Sequence, residues 1–226
     1  SSAASDVYKR QGQGVPREPQ EAYDWFVLAA RQDHRDAQFN LAKMYEDGFG
    51  ISQNHGEAIN WYTEAARRGS ARAQFNLGFK YLRGDGIEKD PKEGVKWVEQ
   101  AAQQGLDHAQ YTLGMIHERG LAGHADDLEA GLWYKRAVDQ GFGDAEFALA
   151  VMYYEGRGVH RDLKEAARLF RRASIKGDPV AQSSLGNMCY EGKGVEKNDK
   201  EALQWFSKSA MQGYVKAQLH CGVMYM

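Results

Sequence analysis

The segment around Gly192-Lys193 contains the residue types of a phosphate-binding loop. Such loops place another glycine five positions before the Gly-Lys pair and a serine or threonine directly after the lysine, so that backbone amides and the ammonium hold phosphate. Here the earlier glycine, Gly186, lies one position too far away, and Gly194 stands where the hydroxyl residue is needed. We therefore predict no phosphate site and assign Gly186 to helix packing.

Histidine and glutamate side chains at His117, Glu118 and His124 have the chemistry of metal ligands. A zinc protease places its two histidines four residues apart on one helix, so that both face the ion. These histidines are seven residues apart, with Gly120 and Gly123 between them. We predict no metal site and expect His117 to replace a buried tyrosine.

The remaining chemistry-bearing patterns are also absent from the sequence. Neither S-x-x-K nor G-x-S-x-G occurs, so no catalytic nucleophile and no cofactor is predicted. The net charge of −2, with both signs interspersed, gives no footprint for nucleic acid or anionic lipid. No apolar run is long enough for membrane insertion. The sequence predicts a soluble, non-enzymatic protein that is cytoplasmic, or periplasmic or secreted if a signal peptide was lost with the N-terminus.

The dominant pattern is a period of 36 residues. An alanine recurs at Ala37, Ala73, Ala109, Ala145, Ala181 and Ala217. Leucine, very small residues and tyrosine follow it in phase, at offsets that make one stripe of an α-helix, here called helix A. A glycine pair then permits the reversal of the chain. A unit of this length buries its apolar face only against its neighbours, so the period predicts a helical repeat protein.

A second helix, helix B, begins with a capping box in every unit. The caps are Asn54, Asp90, Asp126, Asp162 and Asn198, each with a glutamate three residues later. This spacing satisfies the free amides at a helix start. Helix B is expected from about Asn54 to Arg68 and at the equivalent positions, where it buries an alanine pair and a tryptophan. The tryptophan positions are Trp25, Trp61, Trp97, Trp133 and Trp205, with Leu169 in the remaining place.

The string from Ala73, Leu77 and Gly78 through Gly84 to Trp97 resembles the Sel1-like repeat, a relative of the tetratricopeptide repeat. The resemblance recurs in phase over nearly the whole chain. It implies an all-α fold, a right-handed α/α superhelix (solenoid) of 36-residue helix-turn-helix units. Residues 12–226 are then expected to form one domain, with five full repeats over 36–215 and a partial unit at each end.

Both ends of the sequence lead to further expectations. Residues 1–11 lack the small-residue pattern of helix A and partly resemble translated adapter sequence, so we expect an unreliable or disordered segment there. Residues 216–226 match a helix A without its partner, which would leave Leu219, Val223 and Met224 uncovered. Cys189 and Cys221 lie on helix A of adjacent units. A bridge between them is conceivable, but we favour a reduced packing role.

In the related tetratricopeptide solenoids, the face of helix A that the core does not use lines a concave wall. The predicted groove residues are Phe39, Phe75, Phe79, Leu82, Tyr111, Met115, Phe147, Val151, Tyr154 and Tyr190, with Arg72, Arg83, Arg119, Asp144 and Glu155 at the rim. This second apolar stripe indicates a binding surface. A structural alternative stays open, because the column that begins with Phe39 and Phe75 could only seal the repeats.

The predicted function is a non-catalytic scaffold or adaptor that binds a peptide or a partner domain in this groove. A regulatory subunit that activates a partner enzyme is the first alternative, since some Sel1-like proteins act in this way. A β-lactamase-like enzyme is the second alternative that the resemblance offers, although the chain lacks the motifs of such enzymes. The expected partner is a protein or peptide, with no nucleic acid and no small-molecule cofactor.

Overall fold

A computed structural model describes residues 18–121 and 123–226, and this part of the chain is built from helices without a strand. The twelve helices are α1 (Pro19–Ala30), α2 (Arg35–Asp47), α3 (His55–Arg67), α4 (Ala71–Arg83), α5 (Pro91–Gln103), α6 (Asp107–Glu118), α7 (Asp127–Asp139), α8 (Gly143–Glu155), α9 (Leu163–Ile175), α10 (Pro179–Glu191), α11 (Asp199–Met211) and α12 (Val215–Tyr225). Even-numbered helices are the predicted A helices, and odd-numbered helices are the B helices. The all-α repeat fold is therefore confirmed.

The chain divides into two compact units, residues 1–97 and 98–226. Within each unit, helices that follow one another in sequence pack against each other. The segment 1–11, for which we expected disorder, lies outside the described residues.

Glycine ends most A helices in the left-handed conformation. Gly48, Gly156 and Gly192 have φ angles of 68°, 75° and 70°, and each donates its N–H to the carbonyl four residues earlier. The second glycine of a pair also permits close packing. A Cβ on Gly158 (φ 64°) would overlap the backbone carbonyl of Asp127. Both glycines of the pair are thus required, the first by conformation and the second by conformation and space.

Side-chain caps start the B helices as the sequence predicts. Asn54, Asp126, Asp162 and Asn198 each accept a hydrogen bond from the amide of the glutamate three residues later. The backbone of the cap is bound as well, since the Asn54 N–H donates to the carbonyl of Tyr45 at 2.9 Å. The same bond recurs one period apart along the chain, which fixes the turn from helix A to helix B.

The core consists of the small and apolar columns of the repeat. The six alanines of the period are at most 5% exposed, and the leucine column is buried throughout. A Cβ on Gly114 would lie 2.5 Å from Tyr134 Cδ1, and one on Gly186 would lie 2.8 Å from Phe206 Cε1. The small residue of helix A is therefore where an aromatic ring of helix B makes its closest approach, as the packing assignment of Gly186 predicts.

Several positions depart from the expected burial, among them Trp61 and Trp97, which are only half-buried. Trp25 is 70% exposed, because α1 has no earlier A helix among the described residues to cover it. His117 is only half-buried, although we expected it in the place of a buried tyrosine. On α12, Leu219 and Val223 are exposed as expected, whereas Met224 is half-buried.

A buried glutamine column was missed in the sequence. The residue after each repeat alanine is Gln38, Gln74, Gln110, Glu146, Gln182 or Gln218. Gln38 Nε2 donates to the carbonyl of Ala30 at 3.1 Å, and Gln182 Nε2 donates to that of Ser174 at 3.1 Å. Each such bond ties the start of helix A to the last turn of the preceding helix B.

Glu146 is the exception in this column, because a carboxylate has no proton to donate. It is fully buried, and its Oε1 atom lies 2.6 Å from an Arg172 guanidinium nitrogen and accepts a hydrogen bond from Lys176 at 3.0 Å. Its Oε2 atom has no hydrogen-bond partner in the described part of the chain. Lys176 stands where Gln140 and Gln212 stand in the neighbouring repeats, so an amide pair has been exchanged for a charged pair.

The two cysteines are free thiols. Cys189 is buried, and burial raises the pKa of its thiol. Cys221 is half-buried, with its Sγ atom 3.8 Å from Ser207 Oγ. These positions agree with the packing role that we favoured.

Candidate protein-binding surface

The predicted groove residues, here called the A-face, differ widely in exposure. Phe39 is only 5% exposed, whereas Tyr190 is 43% exposed. The other eight are half-buried, and the predicted rim residues Arg72, Arg83, Arg119, Asp144 and Glu155 are all exposed. The A-face thus offers partial apolar surface between charged residues in each unit.

The column that begins with Phe39 packs largely against rings of helix B. The ring centroids of Phe39 and Tyr62 are 5.8 Å apart, and those of Phe147 and Phe170 are 5.7 Å apart. The Arg72 guanidinium lies 4.3 Å from the Phe39 centroid and covers that ring. These contacts support the sealing interpretation for Phe39, whose ring has little surface left for a partner.

In residues 1–97, Phe75 and Phe79 are the aromatic residues of the A-face that keep partial exposure. The Phe79 ring is half-buried and lies beneath the Arg83 guanidinium, 4.1 Å from the centroid. Phe75 lies next to it, with a centroid distance of 6.0 Å. An arginine on an aromatic face is a weak, solvent-accessible contact that a partner can replace.

Between α2 and α4 of this unit lies a crevice whose side chains form a charged network. Lys80, only 6% exposed, places its ammonium 2.6 Å from the carboxylate of Glu46. Tyr62, a buried residue of α3, donates to the same carboxylate at 2.7 Å and accepts from Asn76 at 3.2 Å. Lys43 adds a further contact at 3.0 Å.

The network perturbs the acidity of its members. Burial by itself would raise the pKa of Glu46, but the hydrogen bonds from Lys80, Tyr62 and Lys43 outweigh it and lower the pKa to about 2. Burial, and then the hydrogen bond to Glu46, raises the pKa of Tyr62. The carboxylate is therefore ionised over the whole physiological range, and this crevice is already filled by its own partners.

The crevice between α6 and α8 repeats the glutamate and tyrosine but changes the cation. Tyr134 donates to Glu118 at 2.7 Å, and Arg157, from the loop after α8, lies 2.8 Å from the other oxygen of Glu118. Arg157 also contacts Asp127 at 3.0 Å and Glu155 at 2.7 Å. Burial opposes ionisation of Glu118, but the bonds from Arg157 and Tyr134 outweigh it and lower its pKa.

The crevice between α8 and α10 is open. It encloses a pocket of about 240 Å³ lined by Val151, Tyr154, Glu155, Phe170, Ser184, Asn187 and Met188. Its floor is apolar, because Phe170 and Met188 are almost fully buried. Val151 and Tyr154 are two of the predicted A-face residues, and the structure brings them together in one cavity.

The difference between the crevices follows from paired positions sixteen residues apart. Where helix A has a glutamate, helix B has a tyrosine that donates to it, as in Glu46 with Tyr62. Where helix A has Tyr154, helix B has Phe170, which has no hydroxyl group. The α8–α10 crevice therefore lacks the tyrosine–glutamate hydrogen bond, and the cation on that glutamate, which are present in the other two.

Two further findings concern other kinds of site. Within residues 18–121 and 123–226, no cluster of three or more histidine, cysteine or acidic side chains could hold a metal ion. None of the helices in these ranges is long and apolar enough to cross a membrane.

Lys193, the lysine of the apparent phosphate loop, contacts Glu191 at 2.7 Å and Tyr154 at 3.4 Å.

Comparison with protein families matches the Sel1 repeat model six times, over residues 4–34, 35–70, 71–106, 107–142, 143–178 and 179–214. The chain belongs to the Sel1 repeat family. Proteins built from these repeats generally serve as scaffolds for protein interaction and are generally non-catalytic. No curated protein matched the sequence.

Solved Sel1 structures resemble this chain over almost its whole length. An Escherichia coli protein, described as a protective antigen of uropathogenic strains with an SLR fold, is 35% identical with a TM-score of 0.89. The match covers 96% of this chain but only 47% of that protein, so this chain spans about half of its length. A Sel1 repeat protein from Oxalobacter formigenes is 29% identical, with a TM-score of 0.81, over 99% of this chain and 87% of the other.

Proposed function

We propose that this Sel1 repeat chain is a non-catalytic scaffold that binds a peptide or a partner domain on the A-face. The observation that carries the proposal is the contrast among the crevices. One repeated frame presents a lysine–glutamate network between α2 and α4, an arginine-bridged cluster between α6 and α8, and an open pocket between α8 and α10. Varied side chains on a constant frame are what selective recognition requires.

Burial narrows the surface that we assign to a partner. Phe39 is excluded because its ring is covered by Arg72 and Tyr62. Phe79 and Tyr154 remain as aromatic candidates, one in each compact unit. Aromatic residues in partly desolvated positions are the usual energetic centres of protein interfaces.

The test is a selection of peptides from a random library displayed on phage, with the wild-type chain as bait. The double variant Phe79→Ala/Tyr154→Ala is expected to lose at least tenfold in affinity for the selected peptides, because it removes both anchors. Its helical circular dichroism and melting temperature should stay close to wild type.

A matched control removes two exposed aromatic residues that lie off the A-face, Trp25 and Phe49, which are 70% and 49% exposed. The variant Trp25→Ala/Phe49→Ala should bind the peptides as the wild type does. Unchanged binding by Phe79→Ala/Tyr154→Ala contradicts the proposal. Early melting of that variant would assign its two rings to packing, since truncation of a buried aromatic costs roughly 3–5 kcal/mol.

A further inference from the structure

The α8–α10 pocket has a size and a lining that specify an occupant. Sites for drug-sized ligands usually enclose about 300–1,000 Å³, whereas this pocket encloses about 240 Å³. It is therefore suited to one side chain of a larger partner. Val151, Phe170 and Met188 supply the apolar floor for that side chain.

The walls of the pocket carry hydrogen-bonding groups that the fold does not use. The Asn187 carboxamide has no hydrogen-bond partner among the described residues, although it is half-buried. A carboxamide both donates and accepts, which is the complement of a peptide backbone group. The Ser184 hydroxyl, by contrast, donates a hydrogen bond to the carbonyl of Val180 at 2.8 Å.

Glu155 is the charged residue of the lining. Its Oε2 atom accepts from Arg157 at 2.7 Å, while its Oε1 atom has no partner in the described part of the chain. Arg157 is shared with Glu118 and Asp127, so it does not neutralise Glu155 fully.

Two other cations near the pocket are also engaged. Lys193 contacts Glu191 at 2.7 Å, and Arg161 donates to the backbone carbonyl of Tyr154 at 3.0 Å. Glu155 is thus the charged side chain that lines the pocket itself, and its Oε1 atom favours a basic group on the partner.

We infer that this pocket binds one large aliphatic side chain of a partner peptide whose neighbouring lysine or arginine pairs with Glu155. The inference rests on the proposed scaffold function and names the chemistry of one of its contacts. In an extended peptide, residues i and i+2 point to the same side. A leucine in the pocket and a basic residue two positions away can therefore reach the floor and Glu155 together.

The probes are three nine-residue peptides in a glycine–serine background. Each has a central leucine, and the residue two positions later is lysine, glutamine or glutamate. Binding to the full chain is followed by NMR of ¹³C-labelled methionine methyl groups. Met188 lies in the pocket, Met115 lies on the A-face outside it, and Met211 is an exposed reference on a B helix.

We expect the lysine peptide to shift the Met188 methyl resonance and to leave Met211 unchanged. Affinity should fall from lysine to glutamine to glutamate by about two- to fivefold per step, the range of partly exposed ion pairs. Replacement of the central leucine by alanine should abolish the Met188 shift.

Variants of the protein locate the contacts. Glu155→Gln should make the lysine and glutamine peptides bind equally, whereas Glu196→Gln, an exposed glutamate of the same unit, should not. Ser184→Phe should fill the pocket and remove the Met188 shift. The peptide series and Glu155→Gln test the inference even if Ser184→Phe folds poorly.

Two results would overturn the inference. Equal affinity for the lysine and glutamate peptides excludes the pairing with Glu155. A shift at Met115 without one at Met188 excludes the pocket but leaves binding on the A-face intact. Failure of the proposed function itself looks different, since then no A-face methionine responds and the phage selection yields no peptide that depends on Phe79 and Tyr154.

Discussion

The ion pair between Glu46 and Lys80 allows a sharp test of the energetics of the α2–α4 crevice. In the variant Glu46→Gln, the Tyr62 hydroxyl keeps an acceptor, because the new side chain retains a carbonyl oxygen. The Lys80 ammonium, however, loses its partner at 2.6 Å while it is only 6% exposed. Its remaining contacts are Asp85 at 3.5 Å, whose side chain is 63% exposed, and the Tyr62 ring, whose centroid is 6.0 Å away.

The expected loss of unfolding free energy is about 1–3 kcal/mol. Removal of one member of a fully buried pair costs roughly 3–5 kcal/mol, because a charge is left without compensation. Glu46 is 22% exposed, so water reaches the site and reduces the cost. The lowered pKa sets a similar ceiling, since a fall from 4.5 to about 2 corresponds to about 3 kcal/mol before screening.

The lowered pKa of Glu46 predicts how the loss of unfolding free energy in Glu46→Gln depends on pH. Because the pKa of Glu46 is lower in the folded chain, its ionisation stabilises the fold at pH values above 4.5. That contribution disappears as the pH falls from 4.5 towards 2. The difference in stability between wild type and Glu46→Gln should therefore be greatest near neutral pH and should narrow at pH 3.

Urea and thermal unfolding, followed by helical circular dichroism at pH 7 and pH 3, measure both effects. Glu118→Gln is the matched control, because Glu118 also accepts from a buried tyrosine. Its cation, Arg157, is 36% exposed and keeps two other carboxylates, so the loss should be under about 1 kcal/mol. Equal losses in the two variants, or a gap for Glu46→Gln that does not narrow at pH 3, would refute the reasoning.

Two further substitutions test the packing of the repeats. Gly114→Leu should lower the unfolding free energy by about 1–3 kcal/mol or more, because the new Cβ would already lie 2.5 Å from the Tyr134 ring. Gln103→Leu, at an exposed site, should change the melting temperature little. Equal effects of these two would show that the close helix contact is misassigned. The double variant Glu146→Gln/Lys176→Gln rebuilds the amide pair of Gln110 and Gln140, so its unfolding free energy in a urea titration should stay within about 1 kcal/mol of wild type. Glu146→Ala should lower the unfolding free energy by about 1–3 kcal/mol, because Arg172 and Lys176 then lose their carboxylate. A double variant that is less stable than Glu146→Ala would contradict this account.

The fold was predictable because its determinants are local and recur. The glycine after α2 and the cap at Asn54 act within a few residues of themselves, and each appears again one period later. Agreement among the copies confirms the register without any knowledge of long-range contacts. The exposed Trp25 shows the limit of this reasoning, since burial of a column residue depends on a neighbouring helix.

The glutamine column could have been found in the sequence. This polar residue directly follows the buried alanine in every repeat, so it lies on the same side of helix A in each of them. An unpaired carboxamide is costly in such a buried position. The signal is a polar column at Gln38 and its equivalents, whereas helix periodicity is read from apolar columns. The replacement at Glu146 marks the one repeat in which the bond had to change.

The chemistry of the crevices was not predictable from the same columns. Lys80 occupies a position that holds Met44 and Met152 in other repeats, and the sequence does not show that its partner is Glu46 on the preceding A helix. The choice between sealing and binding for Phe39 likewise depended on the position of the Arg72 guanidinium. Such contacts join side chains more than thirty residues apart, so only the folded geometry determines them.

The joints of the repeat have a consequence for how such a chain can change over generations. The glutamine of helix A binds the preceding helix B, and the backbone of the cap residue binds the helix A before it. Neither group lines a crevice. A duplicated stretch of 36 residues therefore carries everything needed to dock onto its parent copy. The crevice residues of the new copy are then free to diverge, as Glu46 and Tyr154 have done at one equivalent position, while every copy inherits a frame that already folds.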